Sequence, residues 1–180
     1  MSGTLWTVGH GTHSRDEFLD LVRVAGVAAV VDVRIAPGSR RHPHFGRDAL
    51  ARWLPDAGVA YRWERRLGGF RKPAPDSPDV ALRNESFRGY AGYMRTDEFR
   101  AAVSDLLAGA RPAHTAVLCS ETVWWRCHRR LIADQVMLLH GWSVRHVLPP
   151  GRCSEHLPTA GVRVADDVLG YDDVSASTPA

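Results

Sequence analysis

Ala116-Val-Leu-Cys119-Ser-Glu121-Thr-Val-Trp-Trp-Arg126-Cys127-His128-Arg129-Arg130 is the segment from which the rest of the chain can be read. The apolar run from His114 to Leu118 breaks off at Cys119 and Glu121. A helical pattern then opens with Cys127, His128 and Arg129 and continues through Ile132, Val136 and Leu139. A strand end, a short loop and a helix start are the parts from which an open α/β sheet builds a site. Two thiols, a carboxylate, an imidazole and several guanidiniums crowd this one segment. They point to a place for chemistry without naming the substrate.

The pattern outward from this segment is regular. Leu5-Trp-Thr-Val-Gly-His10 reads as a first strand. Ser14-Arg-Asp-Glu17 is a capping box, and Phe18, Leu21, Val22 and Ala25 follow at helical spacing. Val27 to Val33 is almost wholly apolar, as in a strand buried on both faces. Leu50, Trp53, Leu54 and Ala57 form a second helical stripe before a short strand from Val59 to Trp63. Leu67 to Asn84 is a long loop with three prolines, a length that marks functional or mobile segments. Phe87, Tyr90, Ala91 and Met94 suggest a short helix, Thr96 caps another, and Trp142 to Leu148 is the last strand. Glycine stands at the helix-to-strand junctions Gly26, Gly58 and Gly141, where a left-handed cap turns the chain back. The alternation predicts one three-layer α/β domain over residues 1–165 with a mostly parallel sheet of about five strands. The small, polar residues 166–180 are expected to be a flexible tail.

A charged content of 24% against 44% hydrophobic residues suits a soluble globular domain, and no apolar run is long enough to span a bilayer. No membrane association is expected. The first residues have no basic region followed by an apolar one, so no signal peptide is expected. Three cysteines give an odd count without a disulfide framework, which fits a reducing, cytoplasmic setting. Lys72 is the sole lysine among 23 basic residues. Arginine forks suit phosphates and carboxylates, although a GC-rich coding sequence produces the same bias.

Strand ends nominate the site residues. The first strand delivers His10, the second Asp32 and Arg34, the third Tyr61, and the fourth Cys119 and Glu121. Asp32 and Arg34, two apart on a strand, share a face. They either pair structurally or hold a substrate. Glu121 suits a general acid or base, or a salt bridge to Arg126 or Arg129. Cys127, near a helix start beside arginines, is either an activated thiolate or a small core residue. His128 lies on the apolar stripe and reads as a buried, hydrogen-bonded histidine or a ligand. Arg40-Arg41, His42 and His44 form a basic rim or solvated surface. Cys119, Cys127 and His128 suit zinc by residue type. However, adjacent residues on a helix diverge by about 100° and no CxxC is present, so neither metal nor cofactor is expected.

These motifs, in this order, resemble the bacterial family called domain of unknown function 488. The resemblance rests on Thr7-Val-Gly-His10, Val31-Asp-Val-Arg34 with Pro37-Gly-Ser39, and Leu67-Gly-Gly69. It extends to Asn84 through Met94, Cys119-Ser-Glu121, Cys127-His-Arg129 and Leu131-Ile-Ala-Asp134. Family members usually carry Cys-Ala-Glu where Ser120 stands here, and often a proline where Val123-Trp-Trp125 stands. The resemblance implies a Rossmann-like sandwich and no agreed activity.

The leading expectation is a small hydrolase or group transferase acting on a polar, anionic or nucleobase-like molecule at the strand ends. Catalytic chemistry would fall to Glu121, Cys119, Cys127 and Asp32. His10, Arg34, Tyr61, Arg88, Tyr90, His128 and Arg129 would hold the substrate, and the Cys119–Arg129 segment would bind an anion at a helix N-terminus. A nucleic-acid-binding or DNA-processing module is the alternative of a different class, supported by arginine richness and a sequence pI of about 9.0. Rhodanese-like cysteine chemistry is a third reading. Six residues separate Cys119 from Arg126 where a phosphatase loop has five.

Overall fold

The computed structural model describes residues 2–176. Five strands run parallel: β1 (Thr4–Gly9), β2 (Ala29–Asp32), β3 (Ala60–Trp63), β4 (Thr115–Cys119) and β5 (Ser143–Leu148). A sixth, β6 (Arg152–Glu155), pairs antiparallel with β5, and the sheet order is β3-β2-β4-β1-β5-β6. Helices α1 (Arg15–Val24) and α2 (Arg47–Asp56) cover one face. Helices α3 (Glu85–Met94), α4 (Asp97–Ala110) and α5 (Arg129–His140) cover the other. The result is a three-layer, Rossmann-like α/β sandwich.

The strands are apolar on both faces because both faces are covered. Leu5, Val31, Val117 and Val144 face α3–α5, whereas Trp6, Val8, Val30, Ala116 and Leu118 face α1 and α2. The helices start where their caps stand. Ser14 and Glu17 close the capping box of α1, and Asn84 and Thr96 accept the Phe87 and Phe99 amides. Gly26, Gly58 and Gly141 adopt φ of 65°, 82° and 67°, conformations that side chains resist. Among the described residues no helix is long and apolar enough to cross a membrane.

The structure departs from the sequence reading in two places. Residues 166–171 do not form a loose tail. β7 (Arg163–Ala165) and β8 (Val168–Gly170) pair as a hairpin, and Leu169 and Tyr171 are buried against the α3–α5 side. Asp166 and Asp167 make the turn, both at positive φ (51° and 58°). Both central residues of a type I′ turn need that geometry, and aspartate tolerates it. Residues 177–180 of the expected tail lie outside the described residues.

The second departure is at α5, which begins at Arg129 rather than Cys127. Trp124–Arg126 form a 3-10 turn, Cys127 is extended (φ −124°, ψ 150°), and His128 is the N-cap.

The connections place the site. β1 leads through α1 to β2, and β4 leads through α5 to β5, so chains leave these neighbouring strands toward opposite edges and opposite faces. The C-terminal ends of β1 and β4 therefore flank a topological switch point, where α/β sheets open a crevice.

Candidate functional site

A cleft of about 910 Å³ opens at this crevice. His10 reaches it from β1, Arg34 from beyond β2, and Cys119 and Glu121 from the end of β4. Cys127 and His128 reach it from the start of α5. Arg41, His42 and Arg126 complete a basic rim, and Gly69 and Phe70 approach from the long loop. Glu121 is the only carboxylate among the lining residues, against three arginines and three histidines. Gly9 allows this closeness, because a Cβ there would collide with the Glu121 carbonyl.

Arg34 is clamped. Its Nε and Nη2 donate to both Asp32 carboxylate oxygens at 2.8 and 2.6 Å, and Nη2 also donates to the Phe45 carbonyl. Asp32 is fully buried and accepts further bonds from the Arg34 amide and the Tyr61 hydroxyl. Asp32 and Tyr61 thus stand behind Arg34, outside the cleft lining. His10 donates from Nδ1 to the Gly11 carbonyl and accepts at Nε2 from Arg34 Nη1. Burial, opposed by the Gly11 bond and assisted by the Arg34 charge, lowers its pKa to about 4. The ring is therefore neutral.

The floor is a thiol–thiol–imidazole cluster. His128 Nδ1 lies 3.6 Å from Cys127 Sγ and 3.9 Å from Cys119 Sγ. The opposite nitrogen, Nε2, donates to the Val33 carbonyl at 3.0 Å, and Tyr90 packs edge-on against the ring. Because a carbonyl only accepts, Nε2 carries a hydrogen and Nδ1 is the nitrogen that faces the two sulfurs. The Cys127 thiol feels burial upward. The Cys119 hydrogen bond and the Arg129 guanidinium outweigh that and hold it at about 6. The bond to Cys127, with burial, pushes Cys119 up to about 12. The two thiols titrate as a coupled pair.

Arg129 is buried behind the floor, 1% exposed. Its Nε donates to Cys127 Sγ at 3.4 Å, its Nη1 to the Thr7 hydroxyl, and its Nη2 to the Glu121 and Thr122 carbonyls. The network continues through buried side chains. Thr7 Oγ1 is 2.7 Å from His146 Nδ1, His146 Nε2 is 3.0 Å from His156 Nδ1, and His156 Nε2 is 2.8 Å from Asp134. Asp134 accepts from His156 Nε2 at the far end of this chain. The Tyr171 hydroxyl and the Thr159 amide also donate to Asp134.

Several expected site residues serve elsewhere. Arg129 and Tyr90 are buried supports, Tyr90 donating to the Leu67 carbonyl. Arg88 binds the Leu82 and Arg83 carbonyls away from the cleft. Of the arginines that crowd the Cys119–Arg130 segment, Arg126 lines the cleft, whereas Arg129 is buried behind it and Arg130 turns to Thr159 and Trp125. Glu121 is exposed, and it makes no ion pair with Arg126 or Arg129 among the described residues. Its carboxylate caps the Val123 amide. Trp124 stacks on His146 at 4.0 Å. Phe70 has no local signal that separates it from ordinary loop residues, and only the structure brings it to the cleft.

Residues 14–136 match the family described as domain of unknown function DUF488. The chain belongs to this family. The matched span contains every cleft element except the end of β1. No curated protein and no solved structure matches the chain.

Proposed function

We propose that this DUF488 chain is an enzyme of the hydrolase or group-transferase class that takes a small anionic substrate with a planar part. One observation carries the reading: an almost wholly cationic rim surrounds a floor of two thiols and an imidazole whose Nδ1 faces the two sulfurs. Arg41 and Arg126 are exposed and have no ion pair among the described residues, so they are free to meet an anion. Arg34 adds a guanidinium whose position Asp32 fixes in advance, which lowers the ordering cost of binding. Phe70 supports a planar substrate part such as a nucleobase. It is 87% exposed at the cleft mouth, and its φ of 60° is costly for a residue with a side chain. Glu121 sits where it can accept a proton from an attacking group or donate one to a leaving group.

Calorimetric titration with inorganic phosphate and nucleoside monophosphates tests the proposal. Wild type is expected to bind, and Arg126→Ala to bind about tenfold more weakly with the fold retained, the scale of losing one charge-assisted contact. Failure of wild type to bind either would overturn the reading. Binding only to oligonucleotides, steeply dependent on salt, would instead favour a nucleic-acid module.

A further inference from the structure

The floor of the cleft has the dimensions of a metal site. In tetrahedral zinc coordination, metal–sulfur distances of about 2.3 Å and metal–nitrogen distances of about 2.0–2.1 Å put a sulfur and a nitrogen ligand about 3.6 Å apart. The two sulfur–nitrogen separations here are 3.6 and 3.9 Å, and all three ligand atoms lie within 4.8 Å of one another. We propose that Cys119, Cys127 and His128 bind one zinc-class divalent cation, with the fourth coordination position open to the cleft.

Three features of the chain support this beyond the distances. The first is the extended backbone at Cys127, which removes the objection raised by helical spacing. It lets Cys127 and His128 converge although they are adjacent, while Cys119 arrives from the end of β4. The second is tautomer control. The Val33 carbonyl takes the Nε2 hydrogen and presents Nδ1 as a ligand, which is how metal-binding histidines are usually oriented. The third is the Arg129 N–H on Cys127 Sγ, a donor that stabilises a coordinated thiolate from behind. At Gly69 a Cβ would lie 3.1 Å from Nδ1, so glycine keeps the cluster clear on the loop side.

Soft thiolates with one imidazole select zinc-class ions over magnesium or calcium. Three protein ligands facing a cleft match a catalytic zinc site, in which the open position takes water or substrate. The metal site stands on the ligand geometry alone. Its catalytic use as a Lewis acid or a source of hydroxide rests on the function proposed above.

The test uses the full reduced chain, freed of metal by a chelator, and titrates it with cobalt(II) and with zinc. One equivalent of cobalt is expected to give a thiolate-to-metal charge-transfer band that zinc abolishes. Cys119→Ser and Cys127→Ser should lose the band. His128→Gln should weaken zinc by at least about a hundredfold, since losing only an outer partner already costs about 10–100-fold. Cys153→Ser, at an exposed thiol on β6, should keep the band. Folded wild type that takes up no stoichiometric metal, or whose Cys119 and Cys127 merely oxidise to a disulfide, would overturn the inference. Phosphate titration of the same metal-free sample separates the two proposals. Anion binding without metal uptake removes only the metal, and metal uptake without anion binding removes only the proposed substrate class.

Discussion

Two buried arginines flank the same crevice and are handled in opposite ways. Arg34, 7% exposed, has its own carboxylate: Asp32 grips it through two nitrogens. Arg129, 1% exposed, has no ion-pair partner among the described residues and distributes its donors over a sulfur, a hydroxyl and two carbonyls. A buried charge without a counter-ion is costly. The fold therefore neutralises one guanidinium and leaves the field of the other directed at the Cys127 sulfur. A cation with its own carboxylate is held in place at the cleft, whereas one without acts on the groups around it.

The largest effect that would test this contrast is on stability. Asp32→Ala should cost about 3–5 kcal/mol in denaturant unfolding, because it leaves Arg34 buried and uncompensated. Arg129→Met should cost less, about 2–3 kcal/mol. It keeps much of the volume and strands two carbonyls, the Thr7 hydroxyl and the Cys127 sulfur, which can take up a proton in compensation. If the order reversed, Arg129 would be the more structural of the two.

Acid should act on both sides, through His10 beside Arg34 and His146 in the Arg129 network. His10 and His146 are neutral in the folded chain, burial being the main cause, with values lowered to about 4 and about 2. In the unfolded chain both protonate near pH 6.5. Below that pH the unfolded state binds more protons, so stability falls as pH drops from about 6.5 towards the folded values. The expected slope is at most about 1.4 kcal/mol per pH unit for each histidine. Thermal unfolding between pH 7 and 5 measures it, and a flat profile would show that the buried histidine network is not held neutral.

The smallest stability effect belongs to Arg126→Ala. At an exposed position outside any ion pair among the described residues, it should change stability by less than about 0.5 kcal/mol while weakening anion binding. A large loss of stability would make Arg126 structural.

The two halves of the contrast were unequally legible in the sequence. Asp32 and Arg34 are two residues apart, so strand geometry alone places them together. The capped helices and the three glycine junctions were readable for the same reason, each signal lying within a few residues of its effect. The Arg129 network runs through Thr7, His146, His156, Asp134 and Tyr171, which meet only after the sheet and the β7–β8 hairpin have formed. The one local hint was His146, which follows Val144 on the inward side of β5. The thiol–imidazole cluster is hidden in the sequence for a related reason. Helical spacing carried back to Cys127 overruns the true start at Arg129 by two residues and puts Cys127 and His128 on diverging faces. The hairpin resembles a tail in the sequence because its turn residues, Asp166 and Asp167, are as polar as a tail's would be.

The central claim, that the crevice between β1 and β4 is an anion site over a thiol–imidazole floor, is tested most directly by amide NMR during titration with a nucleoside monophosphate. Saturable shifts are predicted at residues 10–12, 39–42 and 120–128, with α4 and β6 unmoved. Shifts confined to other surfaces, or none at saturating ligand, would contradict it.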